Sequence, residues 1–270
     1  MDELKADKTK NQLAAARAII AATGKSPRQI GEESLQKVLK WINNWGYTSS
    51  ALGQLLLGRT SGGYLQKLAK QNWLTSTRTK SGSPAAYYTL SEIGLQEAER
   101  HADTLFKYVE IDQYKVDQPK IRHYLIAQRA TIQALGSSLI VGYETERMFQ
   151  KDGDRLGVKR PDVVWITPGG LRYGIEVELS AKWEKDLDMF ILGILRALQT
   201  TGNDKPSYSR FIIISDSKAI IRRYTAAMQP SSALSIWEKN GRGHWAIERT
   251  IKVPDWLINK IDFQFLEGAA

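Results

Sequence analysis

Between residues 139 and 228 the chain alternates two periodicities, and this leaves few folds open to it. Val163-Val164-Trp165-Ile166 is apolar and β-prone, Pro168-Gly169-Gly170 is a tight turn, and Leu171–Leu179 returns as a second strand. Trp183–Gln199 then sets Trp183, Leu187, Phe190, Ile191, Ile194 and Leu198 at helical spacing. Phe211–Ile214 reads as a buried strand and Ser217–Met228 as another helix, while Leu139–Tyr143 supplies an earlier strand. Strands alternating with amphipathic helices predict an α/β sandwich around a small mixed sheet. Beyond it, Trp237, Gly241, Gly243, Trp245 and the strand-like run Ala246–Val253 fit a sheet edge or a partner surface.

Within this pattern the carboxylates stand out. Asp162 opens one strand, and Glu176 and Glu178 lie two apart on the next, which points them to one face. The hairpin would bring all three together. Hard divalent cations such as Mg²⁺ or Mn²⁺ take oxygen ligands from one or two carboxylates plus phosphate oxygens, so Asp162, Glu176 and Glu178 are the candidate metal ligands. Lys182, four residues after Glu178, is the candidate for orienting water or neutralising developing charge. Alternating glutamates on a strand are more often a solvated face. Against that, Val177 and Leu179 mark the opposite face as buried, and a central strand rarely carries two carboxylates without cause.

The N-terminal half has a different pattern. Asn11 is positioned to cap a short helix, Gln12–Ala22, ending at Gly24, and Ser26-Pro27 reads as a turn. From Glu33, the residues Leu35, Val38, Leu39, Ile42 and Trp45 recur at helical spacing, with Gly46 as the stop. Thr48 or Ser49 caps a second helix, Ser50–Leu57, with Leu52, Leu55 and Leu56 on one face. Thr60 or Ser61 caps a third, with Tyr64, Leu65 and Leu68 inward and Lys67 and Lys70 outward. Thr75–Thr79 and Ala86–Leu90 form a hairpin around the turn at 80–84, and Ser91 caps Glu92–His101. Asp112–Lys120 is a polar connector, followed by a helix over Ile121–Leu135.

Charge is concentrated in the same region. The chain carries +9, and the 58 residues between Glu33 and Glu92 hold seven cations and no acid. Such a surface releases counterions from a phosphate backbone. The helix order resembles a winged helix-turn-helix, in which the third helix enters the DNA major groove and the wing touches the backbone. The resemblance makes Arg59, Ser61, Tyr64, Lys67 and Lys70 the recognition-helix candidates and Arg78 and Lys80 the wing candidates. A winged helix used for protein contacts is the alternative, and the lack of acidic residues argues against it.

Some classes are excluded. With no cysteine, the chain has no disulfide scaffold, thiol nucleophile or thiolate zinc finger. This fits a reducing compartment, and a cytoplasmic location is expected. No apolar run reaches the roughly 18 residues of a membrane span, and Met1–Lys10 is too polar for a secretory signal.

Residues 143–216 resemble the PD-(D/E)XK (restriction-endonuclease-like) nucleases, through Arg160-Pro161-Asp162, the hairpin and Ile175-Glu176-Val177-Glu178. The resemblance assigns metal binding to Asp162 and Glu176. It also implies an acid on the preceding element, for which Glu146 is the candidate and Glu144 the alternate. The family lysine lies two residues after the second acid; here that position is Glu178, and Lys182 is expected to supply the amine. The expected fold is α/β overall, an N-terminal winged helix followed by an α/β/α nuclease domain. The expected divisions are 1–32, a helical arm; 33–104, the winged helix; 105–135, a connector helix; and 136–270, the nuclease domain. The architecture is similar to MOBC-type plasmid mobilisation relaxases. This implies a Mg²⁺- or Mn²⁺-dependent endonuclease that nicks double-stranded DNA at a transfer origin, with other mobilisation or transfer proteins as partners and a homodimer allowed. Relaxases with a histidine-cluster metal site are not indicated, since His101, His123 and His244 are far apart in the chain, and none of the eleven tyrosines stands in a nucleophile motif. The alternatives are a restriction- or repair-type double-strand endonuclease and a non-catalytic DNA-binding regulator or accessory factor.

Overall fold

The computed structural model describes residues 14, 17, 18, 20–107, 109–149, 157–199 and 206–266. The expected cap at Asn11 and residues 12, 13, 15, 16 and 19 of the Gln12–Ala22 helix lie outside these residues; its described residues are helical. The chain is mixed α/β with small sheets. It divides into two compact units, Met1–Thr77 with Tyr88–Ile111 and Arg78–Tyr87 with Asp112–Ala270. No helix among the described residues is long and apolar enough to cross a membrane.

In the first unit, helix α1 spans Pro27–Trp45. Ser26-Pro27 was expected as a turn and the helix from Glu33. Instead, Ser26 is the N-cap of a capping box with Gln29, and Pro27 occupies the first turn, where its missing N–H costs nothing. Residue 33, the expected boundary, therefore lies inside a helix. Val38, Leu39, Trp41, Ile42 and Trp45 of α1 are buried. The two-residue strand β1, Thr48–Ser49, leads to α2, Ser50–Leu57, capped by the Ser49 hydroxyl at the Leu52 N–H, 3.3 Å. Leu52 and Leu56 are buried, but Leu55, expected on the same face, is 41% exposed. Helix α3 is Tyr64–Lys70. Neither Thr60 nor Ser61 caps it: Gly63 stands at its N-cap with φ 89°, a left-handed conformation that glycine adopts freely, and no side chain bonds there. Strands β2, Leu74–Arg78, and β3, Ala86–Leu90, complete a sheet of order β1-β3-β2, and Ser91 caps α4, Glu92–Arg100.

The second unit opens with α5, Ile121–Gly136. Strand β4 is Gly142–Thr145, three residues beyond the expected start at Leu139, because the α5 end turns back (Leu139 N–H to Ala134 O, 3.0 Å) and Leu139 and Val141 stay exposed. Strands β5, Val163–Ile166, and β6, Arg172–Val177, continue an antiparallel meander whose register pairs Val163 with Ile175 and Tyr143 with Trp165. Helix α6, Glu184–Leu198, crosses over to β7, Arg210–Ser215, which lies parallel to β6.

Helix α7, Lys218–Ala227, and a hairpin of β8, Ala233–Lys239, and β9, Trp245–Lys252, then lead to β10, Ile261–Phe265, which pairs parallel with β7. The sheet order is β10-β7-β6-β5-β4. Phe211 and Ile213 of β7 join Phe190, Ile191 and Ile194 of α6 and Ile220 and Tyr224 of α7 in one buried cluster. Trp165 is buried, its indole N–H bonded to Thr131 of α5 at 2.9 Å.

At the centre of this sheet, Gly174 leaves space that the Phe211 ring fills; a Cβ there would stand 2.7 Å from the ring edge. Overpacking of this kind costs about 1–3 kcal/mol. Gly174→Ala is therefore expected to lower the unfolding temperature by several degrees in a thermal melt, and an unchanged melt would contradict the tight β6–β7 packing.

Candidate active site

The site is built at one end of β5 and β6. Asp162 directly precedes β5, its N–H bonded to Ile175 O at 3.0 Å. Its carboxylate is held on both oxygens: Oδ2 accepts from the Val177 N–H at 2.8 Å, and Oδ1 lies 3.0 Å from His123 Nε2 on α5. Glu176, on β6 opposite Ile213, is only 2% exposed. Its Oε2 lies 2.9 Å from Lys159 Nζ, while Oε1 is buried with no hydrogen-bond partner among the described residues. Glu178 follows β6, its N–H bonded to Ile214 O at 2.8 Å. Its carboxylate forms an ion pair with Lys182 and accepts from the Tyr224 hydroxyl at 3.0 Å. Glu146, in a single turn after β4, accepts from the Tyr124 hydroxyl at 2.6 Å.

Glu146, Asp162, Glu176, Glu178 and Lys182 all line one open cleft of about 490 Å³, joined by Lys159, His123 and Tyr124. Glu144, the alternate acid, is absent from that lining and is gripped by Arg172 through two 2.7 Å hydrogen bonds. The glutamate alternation is not a solvated face, since Glu178 is only 4% exposed. Sequence reasoning missed Lys159, His123 and Tyr224. Lys159 had a signal, a cation three residues ahead of Asp162 in Lys159-Arg160-Pro161-Asp162. His123 and Tyr224 had none, since each sits in an otherwise ordinary amphipathic helix.

Burial, and then the charge of Asp162, push the Glu176 carboxyl well above its ordinary range against the pull of Lys159. Burial lowers Lys159, but Glu176, Asp162 and Glu178 together more than reverse this and raise it. Burial also raises Tyr124, as does its hydrogen bond to Glu146, so this phenol keeps its proton.

Among the described residues no three His, Asp or Glu side chains form a group that could hold a metal by themselves. The donor set suits an ion that takes one or two carboxylates and fills its shell with water and phosphate oxygens, as Mg²⁺ does. Asp162 and Glu176 are the fitting pair, and the orphaned Glu176 Oε1 is an acceptor that a cation would satisfy. Glu178, expected as a third ligand, has one oxygen on Lys182 and the other on Tyr224; both Asp162 oxygens are engaged too, and each would have to use a second lone pair or exchange a partner to reach a cation.

The basic candidates of the first unit and the hairpin fall into two groups. Lys67, Lys70, Ser61, Arg78 and Lys80 are exposed, and neither Lys67 nor Lys70 makes an ion pair among the described residues. Arg59 and Tyr64 are half-buried and stack on each other, the guanidinium 4.0 Å from the ring centre, with Arg59 also 3.4 Å from the Ser34 hydroxyl. Compared with protein-family models, curated proteins and solved structures, the chain matches none.

Because the folded-state pKa of Glu176 is raised, the folded chain binds this proton more tightly than the unfolded chain does. The resulting stability is fully present below the unfolded value near 4.5 and is lost as pH rises through the folded value. In EDTA, Glu176→Gln is expected to melt above wild type at pH 8, with the gap closing as pH approaches 4.5. A lower melt for the variant at pH 8 would mean that Lys159 outweighs burial.

Proposed function

We propose that the chain is a DNA endonuclease using Mg²⁺ or Mn²⁺, which nicks one strand at a specific site and serves as a plasmid mobilisation relaxase at the transfer origin. The observation that carries the reading is buried Glu176, whose Oε1 has no hydrogen-bond partner among the described residues, beside half-buried Asp162 in a cleft that also holds Lys120, Lys159 and Lys182. A three-strand meander followed by a helical crossover to a parallel strand, with these acids on adjacent strands, supports a PD-(D/E)XK-like domain. The helices, three-stranded sheet and hairpin of the N-terminal half support a winged helix, and Lys67, Lys70, Arg78 and Lys80 are exposed for phosphate contacts.

Asp162 and Glu176 would hold the metal. Once bound, it would supply Lewis acidity at the scissile phosphate and a lowered pKa for water. The protein's own groups do the rest. Val177 N–H and His123 hold the Asp162 carboxylate in one orientation. Lys159 and Lys182 place ammonium charge where phosphoryl oxygens gain negative charge. Glu178 and Tyr224 keep Lys182 at the cleft wall, and Tyr124 orients Glu146.

The deciding assay is relaxation of a supercoiled plasmid carrying its mobilisation region. Open circles are expected with Mg²⁺ or Mn²⁺ and not with EDTA. Asp162→Ala and Glu176→Ala should each reduce cutting by at least about a hundredfold, the scale lost when one electrostatic group leaves a hydrolytic site. Linear product would favour the double-strand endonuclease. No cutting, with DNA binding intact, would favour the non-catalytic regulator. For binding itself, replacing Lys67 and Lys70 with Ala should flatten the salt dependence by about 0.9 slope units per lost phosphate contact. An unchanged slope would remove α3 from the DNA interface.

A further inference from the structure

Trp183 was expected inside the apolar face of α6, in series with Leu187 and Phe190. It stands instead at the N-cap in an extended conformation, φ −126° and ψ 151°, and is 63% exposed. Its side chain therefore does not follow the helix, and a large indole lies on the surface beside Lys182, which lines the cleft.

The ring is held rather than loose. The Arg223 guanidinium lies 3.6 Å from the ring centre, and Arg223 Nε donates to Lys182 O at 3.0 Å. The Lys182 N–H in turn donates to the Tyr224 hydroxyl at 3.2 Å. Two consecutive residues of α7 thus pin the two residues at this lip. A second exposed indole follows: Trp245, 41% exposed, lies 4.8 Å from Lys185 Nζ and 5.5 Å from Lys239 Nζ.

We propose that Trp183, backed by Arg223, is a stacking platform for an unpaired base of a single strand entering the cleft, with Trp245 as a further aromatic contact. An indole with a guanidinium against one face keeps its other face for a base, and the guanidinium has donors left for phosphate. Aromatic faces set in cationic surroundings are how proteins hold single strands without reading sequence. A base pair hides both faces of each base within the stack, so the platform selects unpaired nucleotides. The inference deepens the nuclease reading by naming the form of substrate at the cleft: the strand is melted there before it is cut.

The test uses the full chain in EDTA, so that binding is measured without cutting, with three labelled probes of equal length: oligo(dT), a wholly abasic strand and a duplex. Wild type is expected to prefer oligo(dT) to the abasic strand. Trp183→Ala should weaken oligo(dT) binding by about tenfold, the scale of one lost base–aromatic stack, and leave duplex binding unchanged. Trp183→Leu keeps apolar bulk and guards against a misfolded alanine variant; it should bind as weakly as Trp183→Ala, while Trp183→Phe restores binding. Equal wild-type affinity for oligo(dT) and the abasic strand, or unchanged oligo(dT) binding in both Trp183→Ala and Trp183→Leu, would overturn the platform. A wild-type chain that cuts nothing but passes this test would sink the nuclease reading and leave the platform standing.

Discussion

The second unit is organised around two carboxylates withdrawn from water, Glu176 and Glu178, with half-buried Asp162 beside them. An isolated buried carboxylate is expensive, and losing one partner of a buried ion pair is costly too. The described partners of these acids come from several elements. Lys159, ahead of β5, meets Glu176; His123, on α5, meets Asp162; Tyr224, on α7, meets Glu178 together with Lys182. Packing α5 and α7 on the sheet is therefore tied to neutralising its acidic end. Tyr224 shows the coupling most directly, since its ring packs 5.5 Å from Phe190 in the core while its hydroxyl donates to Glu178. One oxygen stays outside this scheme, Glu176 Oε1. An unsatisfied buried acceptor in a site of this kind is an opening for a cation, at the cost of stability in its absence.

Much of the fold was legible because its signals are local. The hairpin of β5 and β6, the amphipathic α6, the Ser49 and Ser91 caps and the Gly46 stop all depend on residues a few positions apart. What failed needed longer reach. Leu139 and Ile140 look like strand, yet their N–H groups bond back to Ala134 of α5; Val141 N–H reaches Ile166 O, and the paired register runs from Gly142. Strand β10 had a period of two in Ile261, Phe263 and Phe265, but only the free edge of β7 gives that alternation a partner. Ser26-Pro27 carries both turn and helix-start chemistry, and Gln29 three residues on decides for the helix. At the cleft, the carboxylates were readable from strand alternation, whereas His123 and Tyr224 depend on how helices dock and could not be.

The lysine problem shows how geometry replaces spacing. The nuclease reading proposed from the sequence calls for a lysine two residues after the second acid, and here that position is Glu178. Read as a string, this is a charge reversal at the position where that reading expects a cation. In three dimensions Glu178 draws Lys182 to the cleft wall, and Lys159 arrives from the other side of Asp162 onto Glu176. Two ammonium groups thus stand where one was expected, each tethered to a carboxylate. A tethered ammonium has lost its rotamer freedom before substrate arrives, so less ordering remains to oppose a phosphate contact. The same ion pairs also hold those ammonium groups back until a phosphate or a metal competes for the acids. Under the proposed nuclease reading, the site would present its cationic charge on loading and keep it neutralised otherwise.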